Sequence, residues 1–257
     1  MTSLRTVLSL GILQLALAGV ASAQSGLDAI RAAGVFKVGT EGTYAPFTFH
    51  DASGALTGFD VEIAREIGRR LGVRVEFVEG KWDGLIAGLD VRRYDAVVNE
   101  VSITDARRAK YDFSNPYIVS RAVLIVRSDN AAIKSFADLK GRRAAESLTS
   151  NFGQLARSNG AELVGTDGFN QSVDLLLAGR ADATINDSLS YLDFRKHKPD
   201  ARLKVAATEA NAEAEGVLIR KGNPELLAAI NHALDQIKAD GSYQRISHKY
   251  FGADVSH

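Results

Sequence analysis

The chain has 257 residues, 46% hydrophobic and 24% charged, with 31 basic and 31 acidic side chains cancelling to a formal charge of +0. That balance argues against a nucleic-acid binder, which carries a basic excess, while the length suits two modest domains. There is no cysteine, so disulfides, thiol catalysis and a lipid-modified cysteine are all excluded, and stability must come from the cores.

The first segment reads as a secretory signal. Arg5 precedes the apolar run VLSLGILQLALAGVA, and Ala21, Ser22 and Ala23 form a small-residue cleavage pattern. The run is short for a membrane span and no polar stop-transfer flank follows it. Cleavage after Ala23 leaves 257 − 23 = 234 residues and removes one charge, Arg5, giving 30 basic against 31 acidic side chains, about −1. A soluble periplasmic protein is expected.

From Val35 onward, short apolar strands alternate with helical stretches, the pattern of parallel α/β units. VFKVG is a strand and TFHDASGALTGFD a hairpin turning at Gly54. DVEIAREIGRRLG sets Val61, Ile63, Ala64, Ile67 and Leu71 near one helix face, with Asp60 as its N-cap and Gly72 as its stop. Strand VRVEFVE, helix KWDGLIAGL and strand YDAVVNE follow. After strand RAVLIVRSD comes a second series: helix SFADLKG, strand RRAAE, helix SNFGQLARSNG, strand AELVG, helix QSVDLLLAGR, strand ADATIND and helix LSYLDFRKH. Strand EGVLIRKGN leads to helix NPELLAAINHALDQIKADG, capped by Asn223, with Pro224 in its first turn and Gly241 as its stop. Helix SYQRISHKYFG ends the series, burying Tyr243, Ile246 and Tyr250.

Two of these units echo each other. YDAVVNE aligns without a gap to ADATIND, matching Asp95 to Asp182, Ala96 to Ala183, Asn99 to Asn186 and Glu100 to Asp187. Each half thus ends a strand in an acidic residue. Ligands collect at the carboxyl ends of strands in open α/β sheets, so two facing lobes would point Glu100 and Asp187 into one cleft. His50, His197, His232, His248 and His257 show no metal spacing. A GxSxG elbow, a P-loop and HExxH are also missing.

The blocks EGTYAPFTF, GALTGFDVEIAREI and KWDGLIAGLDVRRYDAVVNEVSITDARRAKYDFSNPY, with the final ADGSYQRISHKYFG, resemble the periplasmic amino-acid-binding proteins of ABC importers. EGTY, KWDG, YDFS and FGADV are most similar to the cystine-binding branch. The resemblance implies the two-lobed type II fold of α/β class, with two crossing strands and a ligand enclosed by hinge closure. Lobe 1 would be residues 24–119 plus 216–257, and lobe 2 residues 120–215. It implies no cofactor, a monomer, and an inner-membrane permease as partner.

Site residues follow from the same resemblance. Arg107 would grip the ligand carboxylate through its planar fork, with Ser102 beside it and Thr104 either a cap or a contact. Asp187 would receive the ammonium, and Ser150 with Asn151 would open a helix toward the carboxylate. The family has glycine where this chain has Thr149. Tyr44, Trp82 and Phe49 are the aromatic candidates, and Glu41 could reach a polar side-chain end. Glu100 stands where the cystine-like branch has a neutral amide, so it is either a second cation contact or the partner of a local arginine. A cyclohexadienyl or arogenate-type dehydratase on the same scaffold, with Glu100 as general acid, is the enzymatic alternative; a sensory binding domain is a third.

Overall fold

The structure, a computed structural model, describes residues 26–256, and the expected signal segment lies outside them. Two five-strand arrangements share one plan. In the first, the strands run in the order Arg74–Glu79, Val35–Thr40, Ala96–Val97, Leu218–Arg220, Tyr111–Phe113. The first three are parallel, while Leu218–Arg220 is antiparallel to both neighbours. In the second, Glu162–Gly165 pairs parallel with Arg143–Glu146, which meets the next strand through a parallel Ala144–Ala183 bridge. Thr184–Asp187 is then antiparallel to Ala122–Arg127, and that strand to Leu203–Thr208. The sequence pattern foresaw the parallel units; the antiparallel partners are the addition.

The echoed segments hold equivalent places. Asp95 accepts the Lys37 backbone N–H at 2.9 Å, and Asp182 accepts that of Arg143 at 2.9 Å. Each aspartate ties the start of its strand to the parallel neighbour. The regular part of the first strand is shorter than expected, only Ala96–Val97, because the chain turns at Glu100 into a left-handed conformation with φ 52°.

Period-2 alternation builds a core on each face of both sheets. In the first, Phe36, Val38, Ala96, Val98 and Ile219 face helices Gly26–Ala33, Phe59–Leu71, Pro224–Ala239 and Ser242–Phe251, while Val97 and Leu218 face helix Trp82–Asp90. In the second, Ala122, Leu124 and Val126 point one way, Val123 and Ile125 the other. The two halves are joined by Ile118–Ser120 and Glu213–Glu215, which pair antiparallel side by side. These are the two crossing strands.

Local signals hold in part. Gly72 closes helix Phe59–Leu71 in the left-handed conformation, φ 76°. Asp60 does not cap that helix: the cap is Gly58, and the Asp60 side chain is drawn inward to accept from the Glu100 backbone N–H at 2.7 Å and the Tyr117 hydroxyl at 3.0 Å. Asn223 occupies the N-cap position of its helix without capping it, since its amide donates to the Arg220 carbonyl at 2.9 Å. Tyr250 is only half-buried, its hydroxyl bonded to Glu62 and the Gly58 backbone. No helix among the described residues is long and apolar enough to cross a membrane.

Candidate functional site

A cavity between the two halves is lined from the first by Glu41, Tyr44, Trp82 and Glu100, and from the second by Glu146, Ser150, Asn151, Phe169 and Asn186, among others. Strand ends explain this convergence. Glu41 follows Val35–Thr40, Glu100 follows Ala96–Val97, and Glu146 ends Arg143–Glu146; all lie at carboxyl ends.

The halves are closed on one another by direct bonds. The Tyr44 hydroxyl donates to Asn186 Oδ1 at 2.9 Å, and the Ser190 hydroxyl to the Ala45 carbonyl at 2.9 Å. The Asn151 amide donates to Ser102 Oγ at 3.1 Å. Lys81 pairs with Asp167 at 2.6 Å. The Asp83 carboxylate accepts from the Thr149 backbone at 3.0 Å and its hydroxyl at 2.8 Å. Thr149 therefore does work a glycine cannot do. It needs no glycine geometry either, because Arg92 and Glu100 are the non-glycine residues with positive φ among those described.

Arg107 lies on helix Asp105–Arg108, whose N-cap is Thr104: its hydroxyl accepts from the Arg107 backbone at 3.2 Å. The guanidinium stacks over the Trp82 ring, 5.2 Å from its centroid, and Nη1 donates to the Ser102 carbonyl at 2.8 Å. Burial lowers it to about 10, against the pull of Glu213 and Glu215, so it stays charged at neutral pH. Ser102, 3% exposed, bridges across to Glu215.

Asp187 is buried and caps helix Ser188–His197, accepting from Leu189 N–H at 2.7 Å and Ser190 N–H at 3.1 Å. The Ser120 hydroxyl donates to its other oxygen. Burial raises it to about 6. Ser150 caps helix Asn151–Ser158, accepting from Gly153 N–H at 2.9 Å. Glu41 is held by Asn99, which accepts from its backbone N–H and donates to its carboxylate, both at 2.7 Å; burial raises it to about 7.

Buried polar groups in folded proteins almost always have partners. Among the described residues the exceptions are Trp82 Nε1, both Glu100 carboxylate oxygens and Glu215 Oε2. Trp82 and Glu100 line the cavity. Glu100 has no local arginine partner, which removes one of its two expected roles.

Phe49 is not brought in with the others. Alternation along Thr48–His50 sends Thr48 inward to Thr40 at 2.9 Å, so Phe49 faces out, edge-on to Tyr250 at 6.5 Å, in a separate groove. Conversely, Glu146, Phe169 and Asn186 were missed as site residues. Asn186 was legible as the echo of Asn99, and Glu146 as an acid at the carboxyl end of strand Arg143–Glu146.

A model of the bacterial extracellular solute-binding proteins, family 3, matches residues 36–253. The chain belongs to this family. A probable amino-acid ABC transporter-binding protein of Haemophilus influenzae is 44% identical over 219 residues, 85% of each chain. The L-cystine-binding protein TcyA of Bacillus subtilis is 45% identical, over 88% of this chain and 85% of its own. Among solved structures, an ancestral arginine-binding protein bound to arginine superposes with TM-score 0.80 at 38% identity, covering 85% of this chain and 99% of that one. The L-cystine solute receptor of Neisseria gonorrhoeae, in an unliganded open conformation, is 45% identical, covers 91% and 99%, and superposes at only 0.60. That receptor is in an open conformation, whereas the two halves here are held together by direct bonds.

Proposed function

We propose that this family member is the soluble periplasmic binding component of an ABC amino-acid importer, closing its lobes on an amino-acid zwitterion and delivering it to an inner-membrane permease. The observation that supports it best is the cavity between the halves, into whose lining Trp82 and Glu100 bring unpartnered polar atoms. Arg107, stacked on cavity-lining Trp82 and bonded to the Ser102 carbonyl, belongs to the first half, and buried Asp187, next to cavity-lining Asn186, to the second. A ligand carboxylate meets the guanidinium fork, and its ammonium compensates a buried aspartate that otherwise costs folding energy. Tyr44 and Trp82 supply flat apolar walls, Glu41, Ser150 and Asn151 further polar contacts. The lobes divide at 119/120 and 215/216, within or beside the crossing strands Ile118–Ser120 and Glu213–Glu215. The leader cleaved after Ala23 and the monomeric state belong to the same reading.

A binding protein needs no turnover. Charge-assisted hydrogen bonds contribute about 1.5–3 kcal/mol each, so the two poles and a few neutral donors reach the roughly −8 kcal/mol of micromolar binding after ordering costs. The test is thermal unfolding of the purified protein against each amino acid and L-cystine at millimolar concentration. A micromolar ligand stabilises by about 4 kcal/mol under RT ln(1 + [L]/Kd). No shift with any of them, together with turnover of prephenate or arogenate, would replace this reading with the dehydratase.

A further inference from the structure

The charged groups acting on Glu100 and Glu215 are mainly acids, while Arg107 feels Glu213 and Glu215. Glu100 is 7% exposed with both carboxylate oxygens unpartnered, and Glu215 is 1% exposed with Oε2 unpartnered. They stand on adjoining antiparallel segments, tied by the Ser102–Glu215 bridge and by the Gly216 N–H donating to the Val101 carbonyl at 3.1 Å. Around the pair are Asp60 from helix Phe59–Leu71, Asp187 at the end of Thr184–Asp187, and Glu213 from the same crossing strand. Tyr44, Tyr117 and Tyr243 complete the ring as neutral hydroxyls within the same field.

The neighbours are already engaged. Asp60 accepts from Glu100 N–H and Tyr117, Asp187 from Ser120 and two backbone N–H groups, and Glu213 from the Asn151 amide at 2.8 Å. Glu100 has no such compensation for full ionisation, and Glu215 has only a backbone hydrogen bond. Two buried carboxylates in one field do not both ionise without a cation; they titrate as a pair, with one proton retained. Glu100 lines the cavity and Glu215 does not. A positive group arriving in the cavity therefore meets Glu100 first.

We propose that Glu100 and Glu215 form a proton-exchanging cation subsite, which holds a proton in the ligand-free protein and releases it to solvent when a second cationic group of the ligand, an ammonium or guanidinium, comes against Glu100. The subsite rests on the amino-acid-binding reading and names its ligand class: amino acids with a second positive group rather than neutral side chains. Burial, and then the charges of Asp187 and its neighbours, push both carboxyls well upward, in agreement with a proton retained near neutral pH. Charge balances, since one proton leaves as one cationic group enters.

Calorimetric titration tests this with L-arginine, L-lysine and L-cystine, and L-glutamine as the neutral comparison, near neutral pH in buffers of different ionisation enthalpy. The expected result is release of roughly one proton per cationic ligand, with apparent affinity rising up to about tenfold per pH unit, and less release with glutamine. Glu215→Gln and Glu100→Gln should each reduce the release, and Glu100→Gln should weaken cationic ligands more than glutamine. In the unaltered protein, ligand addition should also remove the infrared carbonyl stretch of a protonated carboxyl group, a readout independent of whether either variant folds. Binding of a cationic ligand with buffer-independent heat and no infrared change overturns the subsite and leaves the transport reading intact. Failure of every amino acid to bind defeats the transport reading itself.

Discussion

Replacing Arg107 with methionine separates recognition from stability. The side chain is partly buried, stacked at 5.2 Å on Trp82 and oriented by the Ser102 carbonyl at 2.8 Å, so its fork is set before a ligand arrives. A bidentate carboxylate pair is two charge-assisted hydrogen bonds, about 3–6 kcal/mol together. Their loss raises Kd roughly 10²–10⁴-fold. Folding should respond much less. Burial holds the guanidinium at about 10, below its ordinary value, and that difference corresponds to about 3 kcal/mol of cost for the charged form. Methionine removes this cost together with a hydrogen bond of about 1–3 kcal/mol and a cation–π contact of about 1 kcal/mol. Calorimetry with the tightest amino acid should show binding lost, while ligand-free thermal unfolding shifts by only a few degrees. Arg107→Lys keeps the charge without the fork and should recover part of the affinity. Unchanged binding in Arg107→Met would refute the assignment of the carboxylate pole.

Other outcomes follow from single contacts. Tyr44→Phe deletes the hydroxyl that donates to Asn186 across the cleft at 2.9 Å; about 1 kcal/mol lost from the closed form should weaken ligand binding roughly 5-fold by calorimetry. Gly58→Ala places a methyl 2.1 Å from the Phe47 carbonyl oxygen at φ +129°, and thermal unfolding should fall by about 5–15 °C, from roughly 2–4 kcal/mol of strain. Burial raises Glu41 to about 7 from 4.5, so the folded protein binds the extra proton. The penalty is absent below pH 4.5, grows as pH rises, and levels off above about 7 at up to about 3 kcal/mol. In denaturant melts, Glu41→Gln should therefore gain stability over the parent protein at pH 7.5 but not at pH 4.5, and equal differences at both would contradict it.

Periodicity reads wherever a strand or helix is regular over several residues. The faces of Phe59–Leu71 and Ala122–Arg127 were legible because burial repeats along them. Tyr111–Phe113, Ile118–Ser120 and Glu213–Glu215 were not, since three residues carry no period and their pairing partners are distant in sequence. Asp60 misled for a related reason. An aspartate before an apolar run is the usual signature of a cap, but a backbone N–H forty residues away and the Tyr117 hydroxyl competed for its carboxylate and won. Arg107, Asp187, Tyr44 and Trp82 were readable as candidates only through the family resemblance. Phe49 was not, because its direction depends on which residue of a three-residue strand turns inward.

The echo of YDAVVNE in ADATIND carries more than a resemblance between halves. Each copy begins with an aspartate that anchors a parallel strand, Asp95 to Lys37 and Asp182 to Arg143, and each ends beyond an asparagine at an acid. The asparagines have diverged toward closure: Asn99 fastens Glu41 within its own half, while Asn186 accepts from Tyr44 of the opposite half. The acids have diverged in satisfaction. Asp187 has its lone pairs filled by Ser120, Leu189 and Ser190, whereas Glu100, turned left-handed at φ 52°, has neither oxygen partnered. One acid is thus a fixed pole tolerable without ligand, and the other is tolerable only when protonated or faced by a cation. Closure brings both into one field, so the closed form's stability depends on the charge of what it encloses. Under the proposed cation subsite, selectivity for the ligand and the tendency to close become one electrostatic quantity, set chiefly at Glu100.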